Sequence, residues 1–135
     1  MANRENYIFI TRTKAFTLYD VENDILLFDY FRDIEIELDD VVEAFDLYEQ
    51  HSKNYTRKVL IAFGPFATIE VEARKYAENK VMPTPAQAIV IRNLAQRMIA
   101  RFYQLLRKDE HPLKFFDNEE KAISWLKAIK KAECQ

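Results

Sequence analysis

Val59-Leu60-Ile61-Ala62-Phe63-Gly64-Pro65-Phe66-Ala67-Thr68 contains the most apolar run of the chain, closed by its only glycine. Consecutive apolar residues that stop at a turn signal read as a strand buried on both faces. A helical pattern follows from Thr68, a reasonable N-cap, to about Asn79. A buried strand that turns directly into a helix belongs to an α/β architecture, and such turns are where many α/β proteins keep their sites. Loops that cradle phosphates need several glycines, because the backbone must approach the ligand closely and adopt positive φ. A single glycine does not supply that, so P-loop and dinucleotide-binding fingerprints are excluded.

Upstream of this stretch, Tyr7–Thr13, Ala15–Val21 and Asp24–Phe31 are rich in strand formers, with Asn23-Asp24 as a turn. Ile34-Glu35-Ile36-Glu37 alternates and extends or follows the third strand. The three strands form an antiparallel meander. Val41, Val42, Phe45 and Tyr48 then recur at helical spacing, predicting a helix from about Asp39 to Ser52 with its acidic residues at the favourable end of the dipole.

Downstream, Pro83 and Pro85 bar any extension of the second helix, and Ala86–Ile91 reads as another buried strand. Asn93-Leu94-Ala95-Gln96 has the form of a capping box. The helix it opens carries Ala95, Met98, Ile99, Phe102, Leu105 and Leu106 on one stripe and ends near Lys108. Leu113–Phe116 is a short strand. Asp117 and Glu120 repeat the cap spacing before a last helix that turns Ala122, Ile123, Leu126 and Ile129 inward. Trp125 is a core or a subunit-interface residue. The expected fold is α/β: a mixed four-to-six-stranded sheet with an N-terminal antiparallel meander, followed by βαβαβα units in one domain over residues 1–135.

Composition narrows the function. With 49% apolar and 31% charged residues the chain is neither disordered nor built to span a membrane. No apolar run approaches the roughly 18–20 residues of a membrane helix. The first six residues lack the apolar core of a signal peptide, which makes the cytoplasm the expected compartment. The lone cysteine, Cys134, excludes a disulfide framework and a cysteine-based zinc site within one chain. Twelve acidic residues and one basic residue, Arg32, lie between Asp20 and Glu49. Between Val81 and Lys108 there is no acidic residue, against Arg92, Arg97, Arg101, Arg107 and Lys108. Opposed blocks of this kind steer partners or self-association, or are simply solvated faces. A pI near 5.8 does not suit nucleic-acid binding.

Catalytic chemistry finds little footing. His51 falls near the end of the first helix and His111 in the loop before Pro112, with no nucleophile indicated beside either. The two histidines have no metal-ligand spacing around them. Asp39/Asp40 and Glu119/Glu120 are explained by helix N-termini. The expectation is a non-enzyme with no catalytic, cofactor-binding or metal-binding residues.

The element order resembles the STAS domain, the fold of bacterial anti-sigma-factor antagonists. Phe116-Asp117-Asn118-Glu119-Glu120-Lys121-Ala122-Ile123-Ser124-Trp125-Leu126 is similar to the ending of its SpoIIAA-like branch of small bacterial proteins. The resemblance implies a non-catalytic regulatory or protein-interaction domain. In STAS antagonists a Ser or Thr at the N-terminus of the second helix is phosphorylated within an Asp-Ser-Ser-Gly-like turn. Here that turn corresponds to Gly64-Pro65-Phe66-Ala67-Thr68, so the motif is absent and only Thr68 offers a hydroxyl. Glu70 and Glu72 would repel a phosphate there, against the attraction of the helix dipole.

Two binding features stand out. The loop Gly64, Pro65, Phe66 and Thr68 presents Phe66 either to a protein partner or back into the core. Arg97, Arg101 and Lys108 form a basic face able to meet an acidic surface, such as the first helix of a second copy in a homodimer. A contrasting reading is a small-molecule or lipid carrier, because SpoIIAA-like domains also resemble the core of lipid-binding CRAL-TRIO proteins. The ten Phe and seven Tyr would suit an apolar pocket.

Overall fold

The computed structural model describes residues 4–93, 96–98, 100–101, 104, 107 and 111–129, to which all structural statements refer. In chain order the elements are β1 (Tyr7–Arg12), β2 (Phe16–Val21), β3 (Ile25–Tyr30), β4 (Glu35–Ile36), α1 (Leu38–His51), β5 (Lys58–Ala62), β6 (Thr68–Ile69), α2 (Val71–Asn79), β7 (Gln87–Val90), β8 (Leu113–Phe116) and α3 (Glu119–Ala128). Residues 96–98, 100–101 and 104 are also helical.

Six strands form one sheet in the order β1-β2-β3-β5-β7-β8. β1, β2 and β3 pair antiparallel, and β3, β5, β7 and β8 run parallel. This is the expected mixed sheet. The β2–β3 hairpin turns on Glu22 and Asn23, both near φ +56°, one residue earlier than the sequence suggests. Asp24 donates its backbone N–H to the Val21 carbonyl at 3.1 Å, giving the primed turn that matches strand twist. In the edge strand β1, Phe9 opposes Tyr19 and Thr11 opposes Leu18, which leaves a bulge at Ile10.

Alternate side chains of the central strands enter opposite cores. Leu26, Phe28 and Tyr30 of β3 face α1 and α2 with Val59. Ile25 and Leu27 face α3, where Ala62, Ala88 and Val90 meet Ala122 and Leu126. Small residues on both partners let α3 sit close to the sheet. A third cluster packs Ile89 and Ile91 with Ala100. Trp125 is half-buried against Phe116, ring centres 5.8 Å apart, in the core beneath α3.

Several boundaries differ from expectation for definable reasons. Thr68 does not cap the second helix. Thr68-Ile69 pairs in parallel with Glu35-Ile36 as a separate small sheet, and α2 begins after Glu70. β4 is therefore no extension of β3. The last helix is capped by Asn118, whose Oδ1 accepts from the Lys121 N–H at 3.0 Å, rather than by Asp117. Met98 is 55% exposed and so lies off the inward stripe, whereas Ala100 is buried. Ala95, Ile99, Phe102, Leu105, Leu106 and Lys108 lie outside the described residues.

The amino ends of the parallel strands are sealed by ion pairs. Buried Lys58 holds Asp24 at 3.0 Å, and buried Arg57 holds Asp20 at 2.8 Å. The opposite, carboxyl ends lead into the turns after β3, β5 and β7, where a ligand or partner meets exposed side chains.

Candidate functional site

Gly64 packs where no other residue fits. A Cβ there would lie 2.5 Å from the Arg32 nitrogen and 2.6 Å from the Phe31 carbonyl carbon, both backbone atoms. Its φ is not positive, so close approach and not conformational freedom requires glycine. The turn that follows closes with the Ala67 N–H on the Gly64 carbonyl at 3.1 Å. Pro65 sits at its second position and Phe66, at φ +63°, at its third. That is the pattern of a type II turn, whose third position is normally taken by glycine or asparagine. Phe66 nevertheless occupies it while 66% exposed, so little burial offsets the backbone strain. Of the two alternatives open for this ring, the structure places it in solvent.

The loop is held from both sides. The Asp33 N–H donates to the Pro65 carbonyl at 3.0 Å, and the Thr68 N–H to the Ile34 carbonyl at 2.9 Å. The buried Gln96 amide donates to the carbonyls of Gly64 and Ala67, both at 3.0 Å. Gln96 Oε1 in turn accepts the Arg92 N–H at 2.8 Å, and Asn93 Oδ1 caps the Gln96 N–H at 2.9 Å. The expected capping box thus exists in modified form, with its glutamine turned to the neighbouring loop. Arg92 Nε donates to the Phe63 carbonyl at 3.3 Å. Gln96 therefore joins two features that the sequence presented separately. Phe66 and Arg97, one residue beyond Gln96, are both exposed, as is Arg101 four residues further on.

Thr68 is exposed but plays no part in α2. Glu70, at the N-cap position, instead uses Oε1 to accept the Leu38 N–H of α1 at 2.8 Å. Several other titratable groups are engaged in structure. Arg4 bridges Asp29 and Glu119, each at 2.6 Å, and the Tyr7 hydroxyl donates to Glu119 at 2.8 Å. Burial, reinforced by Glu119, keeps the Tyr7 hydroxyl protonated well above its ordinary range. Glu37, Asp39 and Asp40 lie close enough to share a cation, but the Lys14 ammonium already sits among them, 2.6 Å from Asp40. Asp40 also accepts the Glu37 N–H at 2.8 Å, capping α1. His51 is half-buried at the end of α1. His111 is half-buried with Nε2 3.0 Å from Gln87 Oε1, and burial plus nearby Arg107 lower its pKa to about 4.

Behind the loop, where α1, α2 and the helical segment containing Ala100 meet over β5, lies an apolar cavity of about 110 Å³. Its walls include Phe28, Val59, Ile61, Ile89, Ala77 and Ala100. Sequence periodicity identified most of these residues as core; it held no sign that the core is incompletely filled.

This architecture is the SpoIIAA-like fold of the STAS type. A crystal structure of an uncharacterized protein of the DUF3478 family with a SpoIIAA-like fold, from Shewanella loihica, superposes with a TM-score of 0.58. The likeness covers 93% of this chain and 98% of that one at 16% identity, so it concerns the fold alone. The chain itself belongs to the family DUF7793, a domain of unknown function, whose model matches residues 19–130. No curated protein matches in sequence.

Proposed function

We propose that residues 1–135 form one STAS-like, non-catalytic regulatory domain that acts in the cytoplasm by binding another protein. Phe66, with Arg97 and Arg101, forms the contact surface. The observation that carries this reading is Phe66 itself: a large aromatic held exposed, at positive φ, in a turn braced by Gln96. Evolution of a stable turn alone favours glycine there. A preorganised aromatic beside arginines is the composition of an interface hot spot.

The arginines favour an acidic partner surface. A second copy offers one, since Asp39, Glu43 and Asp46 are exposed along α1. Sedimentation at low and high salt tests the homodimer, which should weaken with salt and with Arg97→Glu/Arg101→Glu. A photo-crosslinking residue placed at position 66 tests the wider reading in cells. A discrete adduct that disappears with the charge reversal supports it; no adduct above that of a crosslinker placed at exposed Glu120 overturns it.

The cavity favours a second reading, carriage of an apolar small molecule. Native mass spectrometry of the purified protein checks it. A co-purifying ligand supports carriage, and a bare mass with no binding of added apolar ligands overturns it.

A further inference from the structure

Arg4, Arg32, Arg57 and Arg74 each meet a carboxylate. Among the described residues Arg12 and Arg92 meet none, yet each is held in place. The Arg12 guanidinium lies 4.5 Å from the centre of the Phe31 ring, and Arg92 Nε donates to the Phe63 carbonyl at 3.3 Å. Both residues are exposed, so two positioned guanidiniums with spare N–H donors stand at the surface. Strand register brings them to one place. Asp29 pairs with Ala62 and Ala62 with Val90, and the ladder continues with the Phe63 N–H on the Val90 carbonyl at 3.2 Å. Two residues further on, Phe31, Gly64 and Arg92 lie side by side. Leu27, Ala62 and Val90 belong to the core beneath α3, so alternation places this row on the α3 side of the sheet. Arg12 shares that side, because it opposes Thr17, two residues before Tyr19 of the same core. Gly64 is the one member without a side chain, and the backbone of Arg32 fills its place, 2.5 Å from where a Cβ would stand. Glycine at 64 thereby admits Arg32 to the row, between Arg12 and Arg92.

Among the described residues one carboxylate answers these three cations, exposed Asp33, 3.0 Å from Arg32. Asp117, at the neighbouring end of β8, pairs with Lys121 instead. The amino end of the sheet is the opposite case, with Arg57 and Lys58 buried and neutralised. We infer that Arg12, Arg32 and Arg92 form a docking row for an extended acidic segment of a partner protein. The row is longer than one small anion, since Phe31 and Arg92 stand two strand spacings apart, ~10 Å between Cα atoms. Carboxylates on alternate residues of an extended chain recur every ~7 Å, within reach of successive arginine forks. A long nucleic acid would meet the acidic remainder of a chain whose net charge is −2, whereas a short acidic segment need touch only the row. This inference rests on the protein-binding reading above and names the chemistry of the partner.

The probe is a short capped peptide of alternating Glu and Ser, with its Lys-Ser counterpart as control, titrated at low salt against protein with labelled arginine Nε–H groups. The acidic peptide should shift the Arg12, Arg32 and Arg92 resonances saturably, and less tightly as salt is added. Arg12→Gln and Arg92→Gln, each with an unchanged urea midpoint, should weaken binding about tenfold, as for loss of a charge-assisted hydrogen bond. Arg92→Lys should recover only part, because the ammonium lacks the fork. Lys53→Gln removes the same charge from the exposed loop before β5, and should change binding less than about twofold. If Lys53→Gln weakens binding as much as the arginine variants, if those variants bind normally, or if no shift saturates, the row is a solvated face and the assignment is overturned. It is equally overturned if inorganic phosphate or single-stranded oligothymidylate binds the row as tightly, or if the resonances move with protein concentration alone, the mark of a second copy. The crosslink at position 66 is a separate readout, so each of these failures leaves the protein-binding reading standing.

Discussion

The side-chain amide of Gln96 donates to the carbonyl of Gly64 across 3.0 Å, linking the loop after β5 to the helical turn after β7. A second donation to Ala67 makes this one side chain the brace of the whole turn. Removing it as Gln96→Ala orphans the Ala67 carbonyl and the Arg92 N–H and leaves the Gly64 carbonyl with the Ala67 N–H alone, a loss of roughly 2–3 kcal/mol in urea unfolding. Gln96→Glu is a sharper test. An introduced carboxyl must stay protonated to donate to a carbonyl, so its folded pKa is raised. Its contribution is present at low pH and is lost as pH rises through that value. The stability gap to the native protein should therefore be smaller at pH 4 than at pH 8.

Gly64→Ala and Phe66→Gly should move stability in opposite directions. The first drives a methyl into the Phe31–Arg32 backbone and should cost about 2 kcal/mol or more. The second relieves a positive φ at the expense of unfolded-chain entropy, leaving stability level or up to about 1 kcal/mol higher. Thermal unfolding checks both. A stabilised Phe66→Gly protein that no longer co-purifies the partner identified by crosslinking would show strain retained for binding.

His111 makes stability depend on pH on the acid side. Its folded pKa, about 4, lies below the ordinary value of 6.5, so the unfolded chain binds more protons between them. The neutral ring's contribution is present above 6.5 and is lost as pH falls toward 4. Urea midpoints should drop across that window, and His111→Gln, which keeps a polar partner for Gln87, should flatten the drop.

The Arg4–Glu119 contact should show thermodynamic coupling. Glu119 is nearly buried and Arg4 a third exposed, so each of Arg4→Met and Glu119→Gln should cost roughly 1–3 kcal/mol. The double variant should cost clearly less than the sum, read by a double-mutant cycle in denaturant.

Where local chemistry dictated the outcome, the sequence was legible. The apolar run 58–63, the meander and the Asn93 and Gln96 cap spacing all follow from propensity and periodicity, and they fix the sheet. The small β4–β6 pairing was not legible, because Thr68-Ile69 is too short to show a period and its partner lies 33 residues away in sequence. At the candidate site, Gly64 and Phe66 were visible as a loop with an exposed ring as one of two alternatives, but the left-handed backbone at Phe66 was not visible. Gln96 carried only a capping signal. The apolar cavity behind the loop arises from how three helical elements meet, a tertiary outcome that no single segment encodes.

The bridge from Arg4 to Glu119 spans 115 positions. The meander β1–β3 pairs neighbours and can assemble as soon as it leaves the ribosome. Arg4, however, finds its full set of partners only after α3 has been made. During synthesis the early hairpins therefore wait with Glu119 missing and the α3 face of the sheet bare, its Ile25, Leu27 and Leu60 uncovered. Translation speed between β3 and α3 thus sets how long a growing chain must be shielded from its neighbours.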